Sequence, residues 1–153
     1  PASEELKSAV LIPMLAHIET LRDGEWRAAS QDNELVALAN LVQIMGWNTP
    51  SASMLTDGIA MGAILQNIRS RWLDTKKWAA TGDELSGLDI LAGNIREYLS
   101  VVPDAAVASA LDIHEKWLFA AYSAGQAAKG IVPIINIQPK NWNKALRAQM
   151  NSL

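Results

Sequence analysis

The sequence contains no cysteine, a single phenylalanine and only two histidines. Without cysteine there is no disulfide, no thiol nucleophile and no thiolate metal site, and a reducing, cytoplasmic setting is the expectation. No stretch of ~18 uncharged apolar residues occurs, so no membrane span is expected. The apolar run from Leu6 to Met14 follows Glu4 and Glu5 and holds Pro13, which does not suit a signal peptide. His17 and His114 lack the Glu-x-x-His spacing of helical di-metal sites, because Met14 and Leu111 stand where the glutamates belong. Both rings are therefore assigned hydrogen-bonded structural roles, with no metal and no cofactor expected. There is no Gly-x-Ser-x-Gly elbow, no Walker loop and no dinucleotide fingerprint. Asp83 and Glu84 fit a helix start, and Glu19, Asp23 and Glu25 fit a helix end and its loop. No carboxylate pair stands out for acid–base cleavage, and an enzyme is not expected.

Half of the 153 residues are apolar and 19% are charged, which favours one packed domain over disorder. Apolar residues recur at helical spacing in five segments. Leu6, Val10, Met14, Ile18 and Leu21 line the first, with Ser3 as cap and Pro13 as a kink. Asp32 is a candidate cap for the second, striped by Leu35, Leu38, Val42 and Met45 and stopping at Gly46. Thr49-Pro50 reads as the start of the third, which carries Met54, Met61, Leu65, Ile68 and Trp72. Gly58 and Gly62 share that face and would let another helix approach closely. Thr81-x-x-Glu84 is a capping box ahead of Leu85, Leu88, Ala92, Ile95, Leu99 and Val102. Pro103 and Asp104 open the fifth, striped by Val107, Leu111, His114, Leu118 and Ala121.

From Ile131 to Ile137 the pattern breaks: this β-branched stretch, interrupted by Pro133, reads as an extended arm lying on the helices. Helical spacing returns from Asn141 to Met150. Glu34-Leu35-x-x-Leu38-x-x-Leu41 also recurs fifty residues later as Glu84-Leu85-x-x-Leu88-x-x-Leu91, each followed by a proline, Pro50 or Pro103. A period of that size suggests helical hairpins that stack. The expectation is an all-α fold of five to six helices in all, a helical bundle or stacked helical hairpins, with the bundle over residues 1–130. An extended arm and a C-terminal amphipathic helix, residues 131–153, pack on the same domain.

Charge is unevenly spread. Residues 1–60 hold eight acids against Lys7, Arg22 and Arg27, a local net of −5. Arg69, Arg71, Lys76 and Lys77 then cluster with Trp72 and Trp78, opposed only by Asp74, and no acid follows Glu115. On a helix, Lys140, Lys144 and Arg147 form one basic stripe near Trp142. Such cations either complement helix C-termini and stay solvated, or contact phosphates beside a stacking tryptophan, or dock an acidic protein. Of the six tryptophans, Trp72 and Trp117 belong to apolar stripes and are expected in the core. Trp26, Trp47, Trp78 and Trp142 fall in loops, at helix ends or in the tail, where a surface cluster would mark a binding site. The partner-binding candidates are thus Arg69, Arg71, Trp72, Lys76, Lys77, Trp78, Lys140, Trp142, Lys144 and Arg147. A protein partner or self-association is the leading expectation, including a swapped dimer through the arm, with nucleic acid as the alternative partner.

Leu21-Arg22-x-Gly24, followed by Leu38-Ala39-Asn40, resembles a pattern in small uncharacterised helical proteins of bacterial plasmids and prophages. There a Leu-Arg-x-Gly ends the first helix and a second leucine-rich helix follows. The resemblance covers the first third of the chain. It implies an accessory protein of a bacterial mobile element and carries over no catalytic or binding residue.

Overall fold

A computed structural model of the protein describes residues 4–49, 51–125, 127–128 and 130–135. The described residues form five helices and no strand: α1 (Glu4–Arg22), α2 (Ala29–Asn48), α3 (Ala52–Thr75), α4 (Gly82–Val101) and α5 (Asp104–Ser123). The first four close a ring, each packing on the next and α4 returning to α1. Cross-helix bonds fix the directions as antiparallel. His17, late in α1, meets Glu34, early in α2, and Arg22 at the end of α1 clamps Asp89 near the start of α4 with two 2.6 Å bonds. Tyr98, late in α4, donates to Asp57, early in α3, at 2.6 Å. The four helices therefore make an up-down-up-down bundle joined by short connections. α5 lies outside the ring, against α2.

That placement makes α2 the central helix. α1, α3 and α5 all pack on it, and eleven of its residues are buried, from Asp32 to Gly46. A helix apolar on one stripe suffices at a surface, whereas one surrounded by neighbours must be apolar nearly all round. Its closest neighbour is α3, and glycine permits the approach. A Cβ on Gly46 would meet the backbone of Leu55, with its Cα at 2.8 Å, and one on Gly58 would lie 2.8 Å from the backbone nitrogen of Gln43. The small-residue face of α3 does serve close packing, with Gly58 against α2 and Gly62 against Ile134 of the arm.

The repeated leucine stripes do not occupy equivalent places. Leu35 of α2 is fully buried, whereas Leu85 of α4 is only half-buried. Nor do α4 and α5 pair as α2 and α3 do, because α5 turns back onto α2. A bundle, rather than a stack of two hairpins, is the result. On α5, Ala110 instead of Leu111 faces the core with Val107, His114 and Ala121, and Leu111 is 45% exposed.

Three helix boundaries differ from the sequence reading for local reasons. α2 begins at Ala29 because Gln31 Oε1 accepts from the backbone nitrogens of Arg27 at 2.7 Å and Ala28 at 3.3 Å. Asp32 is freed from capping and is buried one turn further on. At its other end α2 runs through Gly46 to Asn48, and Thr49 closes it by bonding Met45 O through both its nitrogen and its hydroxyl. Ser51, not Thr49, caps α3, accepting from Met54 N at 3.3 Å. The capping box at Thr81 and Glu84 is present, with bonds of 2.8 and 3.1 Å. Ser3, Pro50 and the helix expected from Asn141 to Met150 lie outside the described residues.

Beyond α5 the chain is extended from Ile131 to Ile135 and runs over α2. Ile135 is buried, with Val132 and Ile134 packed against the same core. An extended segment with no strand beside it must satisfy its backbone polar groups elsewhere. Side-chain amides of α2 perform that task. Asn33 donates to Gly130 O at 2.6 Å and accepts from Val132 N at 3.0 Å. Asn40 donates to Pro133 O at 2.9 Å and accepts from Ile135 N at 2.9 Å, and Gln43 donates to Ile135 O at 2.7 Å. From α5, Tyr122 adds a bond to Ile131 O at 2.9 Å.

The two glycine environments generate a paired prediction. Gly46→Ala forces α2 and α3 apart and should lower stability by about 1–3 kcal/mol. Gly93→Ala places its methyl in open space on α4 and should raise stability by about 0.5–1 kcal/mol. Chemical denaturation of both variants measures the two signs.

Candidate functional site

The stretch from Arg69 to Trp78 divides into a structural half and an available half. Arg69 points inward, donating to Asp32 Oδ2 at 2.6 Å and to Asn33 Oδ1 at 3.1 Å. Asp32 is 2% exposed, and burial pushes its carboxyl up against the pull of Arg69. Arg71 forks onto both oxygens of Glu84, at 2.9 and 3.1 Å, and bonds Ala79 O at 2.6 Å. That hydrogen bond holds the Glu84 carboxyl below its usual range. Both arginines, expected to face a partner, instead join α3 to α2 and α4. An arginine fork seeks a carboxylate wherever one is in reach, so each was withdrawn from the surface.

What remains outside is Trp72, Lys76, Lys77 and Trp78, and the structure does bring these together. Trp72 and Trp78 stack with centroids 5.0 Å apart and planes inclined by 14°. Trp26 meets Trp78 edge-on at 6.0 Å, extending the aromatic contact down into the core. The burial order is the reverse of the sequence reading: Trp26 is 2% exposed, whereas Trp72 is only half-buried. Trp26 lies between α1 and α2, and its ring nitrogen donates to His17 O at 2.9 Å and Thr20 Oγ1 at 3.2 Å. Trp47 packs against the core at the opposite end of α2, apart from this group.

Lys76 terminates α3 in the left-handed conformation, at φ 59°, the only non-glycine with positive φ among the described residues. Its Nζ sits 4.3 Å from the Trp72 ring centroid. Glycine is the ordinary residue at such a cap, so lysine there carries strain that the cation–π contact offsets. Arg27, overlooked by sequence reasoning, completes the arrangement. Its guanidinium is anchored on the carbonyls of Gly24 and Trp26 at the exit of α1. Arg27, Lys76 and Lys77 rim a cleft of about 330 Å3 floored by the three tryptophans, and no carboxylate lines it among the described residues. The only sequence signal for Arg27 was its position next to Trp26, which hydropathy spacing does not register. Lys140, Trp142, Lys144 and Arg147 lie outside the described residues.

The histidines do not converge. His17 pairs with Glu34 at 2.5 Å, whereas His114 is buried, with Asn40 Nδ2 3.2 Å from its Nε2 and Trp117 tilted over it at 5.9 Å. Among the described residues no group of three histidine, aspartate or glutamate side chains could hold a metal. No described helix is long and apolar enough to cross a membrane. The chain matches no protein-family model, no curated protein and no solved structure.

Two predictions follow from these environments. Lys76→Ala keeps the left-handed strain and loses the cation–π contact, and should destabilise by about 0.5–1 kcal/mol. Lys76→Gly also relieves the strain and should fall close to wild type; thermal melts of both variants separate the two contributions. Burial lowers His114 from 6.5 to about 4, so between those values the unfolded chain takes up a proton that the folded chain refuses. Stability is full above pH 6.5 and declines as pH falls toward 4, by about 3 kcal/mol at most. His114→Gln should show a flatter dependence of melting temperature on pH across that window than wild type.

Proposed function

We propose that the protein is a non-enzymatic interaction protein that docks an acidic segment of a protein partner in the cleft of Trp26, Trp72 and Trp78. The observation that carries this reading is the composition of the cleft: three cations, Arg27, Lys76 and Lys77, around an aromatic floor with no carboxylate in its lining. Aromatic anchors at the centre with a polar rim around them are the common anatomy of protein interfaces. Arg69 and Arg71 would serve it indirectly, by holding α3 against α2 and α4.

Binding to nucleic acid is the second reading, since lysine and arginine beside tryptophan also suit phosphates and bases. The stacked pair argues for the protein partner instead. Trp72 already carries Trp78 and the Lys76 ammonium, which leaves less of its face for a base. An accessory role in a bacterial mobile element, as the resemblance implies, accommodates either partner.

Fluorescence anisotropy with labelled probes tests the proposal. A peptide rich in aspartate and glutamate with one aromatic residue should bind, more weakly as salt rises. Arg27→Gln, Lys76→Gln and Lys77→Gln together should weaken it at least tenfold. Tight, steeply salt-dependent binding of duplex or single-stranded DNA, with no acidic-peptide binding, would instead establish the second reading. Replacing Lys140, Lys144 and Arg147 with glutamine should then weaken DNA binding and flatten its salt dependence.

A further inference from the structure

The arm rests on α2 in an arrangement distinct from ordinary core packing. Asn33, Asn40 and Gln43 stand along one face of α2 and bond backbone atoms of Gly130, Val132, Pro133 and Ile135. Asn40 and Gln43 are fully buried, and besides their contacts with His114 and with Gly58 O their amides hold the arm in a low-dielectric environment. These bonds read main chain and are blind to side-chain identity. Selectivity comes from packing: Ile135 enters the core, and Ile134 lies against Gly62, where a Cβ would come within 3.0 Å of its Cγ2. Pro133 suits the segment, because an extended strand held on one side has no use for that nitrogen. Helix supplying amides and strand supplying backbone is peptide recognition by physical type, here satisfied within one chain.

Nothing in that recognition requires the strand to come from the same molecule. The partners are about a hundred residues apart in sequence, Asn33 and Gly130 being separated by 97 positions. Between α5 and the arm the chain turns through Gly125 and Gly130, both at positive φ, 68° and 84°. Short glycine hinges can reopen without side-chain cost. Among the described residues an open cleft of about 310 Å3 lies beside the arm along α3, bordered by Ile59, Ala63, Gln66 and Asn67.

We propose that the amide-lined face of α2 is a receptor for an extended segment of this chain's own 130–135 chemistry, and that a second copy can supply that segment in exchange for the resident one. The occupant is specific because the face pairs register by register with this backbone and leaves room at Gly62 for this side chain. A copy that lends its arm receives one in return, giving a reciprocal dimer with no contact absent from the single chain. The inference stands on the arm alone and is independent of the tryptophan cleft.

Complementation between two full-length variants tests it. Ile135→Asp disables the arm and leaves the receiving face intact; Asn40→Ala with Gln43→Ala disables the face and leaves the arm intact. Light scattering on each variant alone should give the mass of one chain, 16.6 kDa. Their mixture should contain a one-to-one complex of twice that mass. Two folded variants that remain single chains when mixed would overturn the proposal. If circular dichroism shows that a variant has lost its helices, full-length Ile135→Ala takes its place. The probe is then a fluorescein-labelled peptide of residues 128–137. That peptide should bind Ile135→Ala at least tenfold more tightly than wild type, whose tethered arm competes at an effective concentration on the order of millimolar. Equal binding to the two proteins, or none to either, would refute it.

Discussion

Burial of α2 over most of its surface is the constraint on which the rest of the structure depends. Where neighbours cover a helix, its buried polar side chains draw their partners from inside the protein. Asp32, Asn40 and Gln43 are all buried, and each recruits something from a distance: Arg69 from α3, His114 from α5, and the backbone of the arm. Asn40 is the junction, bonding the arm at two points while lying within hydrogen-bond reach of a neutral His114. The polar residues of α2 thereby select which segments pack on it, while the apolar residues supply the driving force.

The same logic divides the basic stretch at the end of α3. An arginine whose reach includes a carboxylate becomes part of the scaffold, as Arg69 and Arg71 do. Lysines past the helix end have no such partner in the cleft lining and stay where a ligand could find them. The aromatic ladder then links surface to core, because Trp78 touches both exposed-side Trp72 and buried Trp26. The outer ring is thus part of a stack continuous with the interior.

Much of the fold was legible because helical periodicity reports burial one residue at a time. The stripes on α1 and α4 appear where Val10, Met14, Ile18, Leu88, Ile95 and Leu99 indicated. The break from helix at Ile131 was legible from β-branching and Pro133, with Ile137 outside the described residues, and the capping box at Thr81 from its spacing alone. What escaped the sequence is long-range pairing. Nothing around Asn33, Asn40 or Gln43 signals that their amides serve residues some 90 positions later, and a polar residue inside a helix reads as solvent-facing. Trp26 in a polar loop likewise gave no hint of burial, and Arg69 reads as a free cation until Asp32 is known to lie opposite it. The candidate site was half legible: its lysines and outer tryptophans follow from clustering, whereas Arg27 and Trp26 reach it from another part of the chain.

The order in which these contacts can form has a consequence for folding. Three of the four contacts in the α1 to α4 ring join helices adjacent in sequence, and α4 closes it on α1. The covering of α2 instead waits for residues 130–135, since Gln43 finds Ile135 only across 92 positions. A chain whose four-helix ring has formed before residues 130–135 dock therefore exposes an amide-lined apolar trough on α2. Docking of the arm is what closes that trough.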